Sequence, residues 1–275
     1  MVKLEPAQYG KAIEALKGVS INCFFARTVA EQHVDGTIYA DCAENPSSFY
    51  ILHPYGMSLL LGNSTNTQFN SWFTRYALNA DGERKAPEWM QAYPDSWYGT
   101  LNQLLGDNLV KFNPAKPSPD HLVEENSRVN FTFNEDKYRA IRQTLAAGND
   151  DIVRTSFSMF SEITGSVVPL YFWRNAQQFD SEGVGFSLIH EGKIASTAYA
   201  SFIHENYLEL GIETLPEYRG KGFAIKACVA LIDYCLERGL IPVWSCRFEN
   251  TASYMLAQKL GFDVTATLPY YRLSR

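Results

Sequence analysis

The chain lacks both the long apolar runs of a membrane protein and the positive charge of a nucleic-acid-binding protein. Its longest apolar runs, such as residues 57–61, fall far short of the roughly 20 residues that a membrane-spanning helix needs. The 275 residues carry a net charge of -6, whereas nucleic-acid-binding domains present basic surfaces. We therefore expect neither a membrane nor a nucleic acid among its partners.

Patterns for metal sites and disulfides are also missing. The 5 cysteines have no paired spacing, and the 5 histidines are scattered, without a pairing such as His-Glu-x-x-His. The first residues contain no apolar signal core. These absences predict a protein of the reducing cytoplasm, with free thiols and no metal.

What the sequence does have is a globular composition arranged in two halves. It is 46% hydrophobic and 20% charged, and it is long enough for one large or two modest domains. The Pro-rich stretch at residues 113–120 is the clearest break. We predict an N-terminal α/β domain over residues 1–125 and a second domain over residues 126–275. The first domain is a candidate degenerate copy of the second, and the alternative to a functional role for it is a purely structural extension.

Both halves mix strand and helix patterns. In the first half, alternation predicts strands at residues 37–40 and 48–52, and apolar spacing predicts helices at residues 69–78 and 96–105. The second half begins with a strand around residues 129–133 and a helix at residues 135–146.

Further along, we predict a strand at residues 156–160, a helix at residues 167–179, and a hairpin of residues 183–190 with 193–204. A strand-loop-helix unit, a strand, a helix and a last strand complete the chain. This order predicts an α/β or α+β fold with a mixed sheet.

A glycine-bearing turn between a strand and a helix is the strongest functional signal. Residues 207–214 alternate as a strand, and helical spacing begins at Ala224. Gly220 and Gly222 lie between them, where the backbone can approach an anion without a Cβ in the way. The unpaired N–H groups and the dipole at the start of the helix favour a phosphate there. Neither Gly-x4-Gly-Lys-Ser/Thr nor Gly-x-Gly-x-x-Gly fits this turn.

The turn and the block that follows it resemble a known family. Arg-x-x-Gly-x-Ala runs from Arg219 to Ala224, and an Asn250-led helix closing on Leu-Gly-Phe follows the next strand. Together these blocks resemble the GNAT superfamily of acyl-CoA-dependent N-acyltransferases. Tyr-Arg-Gly-Lys-Gly and the Trp-led strand are similar to its bacterial branch that includes the zwittermicin A resistance acetyltransferase.

The resemblance implies a fold, a donor and a reaction. The fold would be a mixed, mostly antiparallel sheet flanked by helices. The reaction would be direct transfer of an acetyl group from acetyl-CoA to a small-molecule primary amine, with no metal. The alternatives are a catalytically silent acyl-CoA-binding module, or a transferase for a different acyl group. The oligomeric state stays open.

The resemblance also implies a set of cofactor-binding residues, in which Lys221 offsets phosphate charge and Arg219 fixes the loop. Asn250 either contacts the pantetheine arm or caps its helix, and the two roles are compatible. Ser253 either approaches the cofactor or lies on the surface. The full predicted set is Thr214, Leu215, Arg219, Gly220, Lys221, Gly222, Phe223, Ala224, Asn250 and Ser253.

The candidate catalytic residues are Glu209 and Glu213. They are four positions apart on the strand before the turn, so both point to the same face of the sheet. Either one is the general base that deprotonates the amine, with Glu209 preferred, or both are solvent-facing carboxylates. The oxyanion donor is expected among the backbone N–H groups of residues 213–215.

The general acid is unassigned. The family commonly has Tyr seven residues after the helix-opening Asn, and here that position is Ala257. Tyr254, Tyr270 and Tyr271 are alternatives, and so is departure of the thiolate without protein help.

Overall fold

The computed structural model describes residues 1–116, 119, 122–145 and 151–275. The chain divides into two compact units. The N-terminal unit contains Met1–Arg128, Arg247–Glu249 and Thr267–Arg275, and the C-terminal unit contains Val129–Cys246 and Asn250–Ala266.

In its described residues, the N-terminal unit is an α/β sheet whose strands are joined by short turns and four helices. Its sheet order is β1-β2-β3-β4-β5-β13, and β6 pairs with β7. Its elements are β1 (Val2–Lys3), α1 (Gly10–Leu16), α2 (Phe24–Ala30), β2 (Thr37–Ala40), β3 (Ser48–Leu52), β4 (Met57–Gly62), α3 (Thr67–Ala77), β5 (Glu88–Tyr93), α4 (Ser96–Leu105) and β6 (Leu109–Lys111).

The C-terminal unit contains the other elements; β7 and β13 are divided between the two units, and the last residue of β12 belongs to the N-terminal unit. Its sheet order is β13-β7-β12-β11-β10-β9-β8. Its elements are β7 (Val123–Phe133), α5 (Glu135–Leu145), β8 (Asp151–Arg154), α6 (Ala176–Glu182), β9 (Gly185–His190), β10 (Lys193–His204), β11 (Tyr207–Thr214), α7 (Phe223–Glu237), β12 (Ile241–Arg247), α8 (Thr251–Lys259) and β13 (Phe262–Leu273).

The core of the C-terminal unit lies on one face of β11. Leu208 and Leu210 on β11 pack with Ala227, Cys228 and Leu231 on α7. Because side chains of a strand alternate between faces, Glu209, Gly211 and Glu213 point to the opposite face. The candidate active site lies on that opposite face and at the end of β11.

The two units repeat one connection pattern. In each, an antiparallel hairpin is followed by a turn, a helix, a parallel strand and a second helix: β3-β4-α3-β5-α4 in the first and β10-β11-α7-β12-α8 in the second. The pairings differ in one respect. β4 and β5 pair at five successive positions, from Met57 with Trp89 to Leu61 with Tyr93. β11 and β12 pair at only three.

The fold class predicted from the sequence is confirmed, and two local predictions are wrong. Residues 156–160 do not form a strand: β8 ends at Arg154, and a 3-10 turn covers Met159–Ser161. Phe160 is buried against the Phe179 ring, with 5.5 Å between the ring centroids.

Residues 167–179 do not form one helix. Pro169 opens a 3-10 turn at Pro169–Tyr171, and α6 starts afresh at Ala176 because the Asn175 side chain caps it. Separately, no helix in the described ranges is long and apolar enough to cross a membrane. Ala146, predicted to end the helix of α5, lies outside the described residues, as does part of the predicted break at residues 113–120.

Candidate active site

Strands β11 and β12 form a fork. Their parallel ladder runs from Tyr207 with Ile241 to Glu209 with Val243, and the described residues contain no further pair between these strands. Yet β11 continues to Thr214 and β12 to Arg247. An opening therefore begins beside Glu209 and widens toward the end of β11.

The backbone of β11 presents hydrogen-bonding groups to this opening. The N–H of Leu215 donates to Ala195 O (3.1 Å) on the β10 side, and ladder bonds alternate along a strand. The N–H groups of Ile212 and Thr214 therefore point to the β12 side. Of the N–H groups expected at residues 213–215 as oxyanion donors, that of Thr214 therefore points to the opening, where it donates to Glu213 Oε1 at 3.2 Å. The N–H of Ile212 is a further donor on the same side, outside the expected range.

The glycine turn follows β11 directly. Gly220 and Gly222 have φ values of 77° and 79°, a left-handed conformation that L side chains rarely adopt. Gly222 is the N-cap of α7, and no side chain caps this helix. By contrast, asparagine side chains cap α3, α6 and α8. The first N–H groups of α7 thus remain available for an anion, and nothing lies within 4 Å of the Cβ positions of the two glycines.

The cations of the turn have different surroundings. Arg219 donates from Nε to Thr214 O (3.1 Å), and its Nη2 lies 3.6 Å from Glu213 Oε1, so it fixes the turn to the end of β11. Lys221 is exposed, with Nζ 5.1 Å from the centroid of the Tyr218 ring. Phe223 is buried against His190 and Tyr218, which anchors the start of α7 on the sheet.

The other predicted cofactor residues make local bonds. Asn250 caps α8, accepting from the N–H of Ser253 at 3.2 Å. The Ser253 hydroxyl in turn accepts from Trp244 Nε1 at 3.2 Å. The Thr214 hydroxyl bonds with Ser196 Oγ at 2.7 Å, and Leu215 packs in the small cluster of Tyr218 and Phe223. Ala224 lies in the first turn of α7.

Glu209 lies at the point where the fork opens. Glu209 is only 5% exposed, so its carboxylate does not face the solvent. The hydroxyl of Ser245, on β12, donates a short hydrogen bond to Glu209 Oε1. The last paired position of the ladder thus carries a buried carboxylate that is linked to the other arm of the fork.

Glu213 is buried as well, but its carboxylate is engaged by a loop. Glu213 Oε2 accepts from the backbone N–H groups of Ser166 (2.8 Å) and Val167 (2.9 Å). The nearby Gly165 leaves room for this contact, because a Cβ there would lie 2.4 Å from Glu213 Cγ. These bonds hold the segment of residues 159–173 against the end of β11.

The same segment covers the β10–β11 face near Glu209. Trp173 Nε1 donates to Ala200 O at 2.7 Å. The Phe172 ring contacts the rings of Tyr199 and Phe202, with centroids 5.8 and 5.4 Å apart. Gly211 lets Tyr199 cross over β11, since a Cβ would lie 2.5 Å from Tyr199 Cζ. The face beside Glu209 is therefore enclosed.

The structure does not supply an acid at the usual position. Ala257 is fully buried in the core of the C-terminal unit. Tyr254, in the same unit, packs edge-on against Phe131 with centroids 5.5 Å apart. Tyr270 and Tyr271 belong to the N-terminal unit, and burial raises the pKa of Tyr271 well above its usual value.

Sequence reasoning missed Ser245, Gly165 and the loop at Ser166 and Val167. Ser245 is two positions beyond Val243, the partner of Glu209, and therefore lies on the same face of β12. This spacing is the signal that could have identified it. No spacing in the sequence links residues 165–167 to Glu213.

Comparison with known proteins assigns the family. The model of the GNAT acetyltransferase family matches residues 17–271. An uncharacterized N-acetyltransferase of Bacillus subtilis, YdfB, is 28% identical over 253 residues, covering 90% of this chain and 89% of the relative. This chain therefore belongs to the GNAT acetyltransferase family and is an acyltransferase enzyme, as the resemblance implied. Membership of the zwittermicin A resistance branch stays a prediction.

Solved structures show the same fold. A GCN5-related N-acetyltransferase-like protein from Streptococcus suis is 20% identical with a TM-score of 0.70, covering 98% of this chain and 100% of that one. A tandem GNAT protein from the clavulanic acid biosynthesis pathway is 11% identical with a TM-score of 0.61, covering 98% and 95%. At these identities the likeness concerns the fold alone.

Proposed function

We propose that this enzyme transfers an acetyl group from acetyl-CoA directly to the primary amine of a small molecule. The observation that carries the proposal is the combination of the uncapped, glycine-led start of α7 with the fork that opens beside Glu209. The first suits a pyrophosphate, and the second offers an extended slot lined by backbone groups for an extended arm. The reaction runs in the C-terminal unit, and the cytoplasmic location stays a prediction from the sequence.

The residues present fit acetyl-CoA. The N–H groups at the start of α7 bind the pyrophosphate, Lys221 offsets its charge, and Arg219 holds the turn in place. The opening between β11 and β12 receives the pantetheine arm, with Asn250 and Ser253 on the α8 side. When bound, acetyl-CoA supplies an activated thioester carbonyl.

Residues of β11 have different roles in the reaction. Glu209 takes a proton from the ammonium form of the acceptor through a water molecule, which an amine of pKa near 10 requires at neutral pH. The N–H of Ile212 donates to the acyl oxygen as negative charge develops there. Glu213 does not act on the acceptor. It is a positioning residue that holds the segment covering the acceptor side.

Substitution of Gly222 tests the cofactor assignment. A valine here must adopt φ near 79° and adds bulk in front of the uncapped N–H groups, so Gly222→Val is expected to abolish acetyl-CoA binding. Gly192→Val is the matched control, because Gly192 has φ 74° and open space but lies in the β9–β10 turn. Calorimetric affinity and thermal stability are measured for both. If Gly222→Val retains its affinity for acetyl-CoA, this turn is not the pyrophosphate-binding site.

Transfer of a different acyl group is the second candidate, because the N–H groups at the start of α7 suit the phosphates and not the acyl end of the donor. Release of free thiol from acetyl-CoA and from other acyl-CoA thioesters over a panel of amines separates the two. Turnover of acetyl-CoA on any amine supports the acetyltransferase. Turnover with another thioester only supports transfer of that acyl group.

A further inference from the structure

Strand β10 has a β-bulge beside the candidate base. Its residues 200 and 202 pair with successive residues of β11, Leu210 and Glu209. Ser201 lies between them and is an extra residue without a partner on β11. Bulges of this kind re-aim side chains and are frequent next to active sites. The proposed reaction so far uses no residue of this bulge.

The backbone of the bulge is fixed by its neighbours in the C-terminal unit. The N–H of Ala200 donates to Val184 O at 2.8 Å, and the carbonyl of Ala200 accepts from Trp173 Nε1 at 2.7 Å. Both backbone hydrogen-bonding groups of Ala200 are therefore used, which holds the chain in place immediately before Ser201. The bulge is thus a fixed feature of the fold.

The Ser201 side chain lies over Gly211, on the same face of the sheet as Glu209. Gly211 is two positions beyond Glu209 on β11, and positions two apart on a strand share a face. A Cβ at Gly211 would collide with Ser201 Oγ and would lie 2.5 Å from Tyr199 Cζ. The missing side chain of Gly211 therefore leaves the room in which the Ser201 hydroxyl meets the Tyr199 ring, beside Glu209.

The Ser201 hydroxyl is buried, yet the chain makes no use of it. Ser201 is 6% exposed, and its hydroxyl forms no hydrogen bond with any residue that the structure describes. By contrast, the buried hydroxyls of Ser187 and Thr197 bond with each other at 2.9 Å on the neighbouring strands. A buried hydroxyl without a partner is costly, and a bound water removes that cost where two or more polar groups can hold it. The carboxylate of Glu209 is a second such group.

We propose that Ser201 is a positioning residue of the acyl transfer, whose hydroxyl holds the water that carries the acceptor's proton to Glu209. This inference rests on the proposed function, with Glu209 as the base. The Ser201 hydroxyl donates a hydrogen bond to the oxygen of the water. The water takes one proton from the ammonium nitrogen of the acceptor and gives another to the carboxylate of Glu209. The amine becomes neutral, the water is regenerated, and Glu209 becomes a carboxylic acid.

The pH dependence of Ser201→Ala tests the role. Near pH 7, kcat/KM is expected to fall about tenfold, because the water loses one of the groups that hold it. The loss is expected to disappear at high pH, where the amine deprotonates itself. Calorimetric affinity for acetyl-CoA is expected to stay that of the wild type. A hydroxyl that serves only the fold would change the melting temperature and leave the pH profile as it is.

A double variant and a matched control sharpen the test. If Ser201 acts through the water that serves Glu209, Ser201→Ala combined with Glu209→Gln is expected to be about as slow as Glu209→Gln alone. Ser187→Ala is the control, because it removes a buried hydroxyl from β9 of the same unit, away from the bulge. Ser187→Ala is expected to keep the wild-type pH profile, whatever its melting temperature.

Three results would overturn the proposal and leave the proposed transferase in place. They are an unchanged pH profile in Ser201→Ala, losses that multiply in the double variant, and the same pH-dependent loss in Ser187→Ala. A wild-type enzyme that turns over no acyl-CoA thioester with any amine would be a different outcome, since it removes the proposed function and this inference together.

Discussion

Replacement of Glu213 separates a positioning residue from a general base. Glu213→Ala removes the oxygen that accepts the N–H groups of Ser166 and Val167. The two donors lose a charged acceptor, and the segment of residues 159–173 loses its attachment to the end of β11. Glu209→Gln, by contrast, leaves that segment attached and removes the carboxylate beside the fork.

The magnitude follows from the two hydrogen bonds. A hydrogen bond to a charged group contributes about 1.5–3 kcal/mol, and the two share one oxygen, so a total near 3 kcal/mol is expected. If the segment must be ordered for the acceptor to bind, this loss lowers the ordered fraction, and the apparent acceptor affinity falls with that fraction. We expect the KM for the amine to rise at least about tenfold while kcat falls less than about threefold.

The assay combines kinetics with hydrogen exchange. In Glu213→Ala, the amides of Ser166 and Val167 are expected to lose protection, and the pH profile of kcat/KM keeps its wild-type shape. In Glu209→Gln, kcat/KM is expected to fall about a hundredfold or more near pH 7 and to recover as the amine deprotonates itself at high pH. Glu217→Gln, an exposed residue of the same turn, is the control for lost charge.

The opposite pattern would refute this division of roles. If Glu213→Ala leaves the KM and the exchange of Ser166 and Val167 unchanged but recovers activity at high pH, Glu213 is the base. If Glu209→Gln behaves as the wild type at every pH, the proton leaves by another route.

Three further substitutions follow from the same contacts. Ser245→Ala removes the donor to Glu209 and should lower kcat about tenfold with little change in KM; unchanged kcat would leave Ser245 without a role. Gly165→Ala places a Cβ 2.4 Å from Glu213 Cγ and should reproduce the KM and exchange changes of Glu213→Ala, whereas wild-type behaviour would mean that the loop is held by other contacts. Burial raises the pKa of Asp41, but hydrogen bonds from Ser47, Ser48 and Cys42 outweigh this effect and bring the pKa below its usual value of 3.8. Because the pKa of Asp41 is lower in the folded state, its carboxylate stabilises the fold fully above the unfolded-state pKa, and this stabilisation is lost as the pH falls through the folded-state pKa. Asp41→Asn should therefore lower the free energy of unfolding by about 1 kcal/mol at pH 7; the value is small because Asp41 is partly exposed. In denaturant titrations this difference should narrow as the pH falls below 3.8, and a constant difference down to pH 2 would contradict the linkage.

Much of the fold could be predicted because local patterns dominate it. Alternation identified β2, β3 and β11 with the bounds that the structure has, and apolar spacing identified α4 at Ser96–Leu105. The strand predicted at residues 156–160 and the helix predicted at residues 167–179 were wrong because Pro169, the Asn175 cap and the burial of Phe160 outweigh periodicity there.

The site could be predicted where it is contiguous in sequence and not where it is assembled by the fold. The turn at Gly220 and Gly222 and the shared face of Glu209 and Glu213 follow from local spacing. The partners of those glutamates do not, since Ser245 and Ser166 are 36 and 47 residues away. The fork is equally hidden, because it depends on how far two strands stay paired: β4 stays paired along its helix-linked neighbour, whereas β11 leaves its own after three positions.

The fork also changes what kind of strand β11 is. It lies in the interior of its sheet, between β10 and β12, yet beyond Glu209 its β12 side has no partner strand in the described ranges. Over that length an interior strand has backbone donors and acceptors that face no partner strand, as at a sheet edge, and such groups pair readily with an extended chain. If the fork receives the pantetheine arm as proposed, a short extended peptide would compete with that arm for one row of hydrogen-bonding groups and act as a competitive inhibitor. On the same proposal, enzyme without bound donor would leave this row of groups open to an extended segment of another molecule.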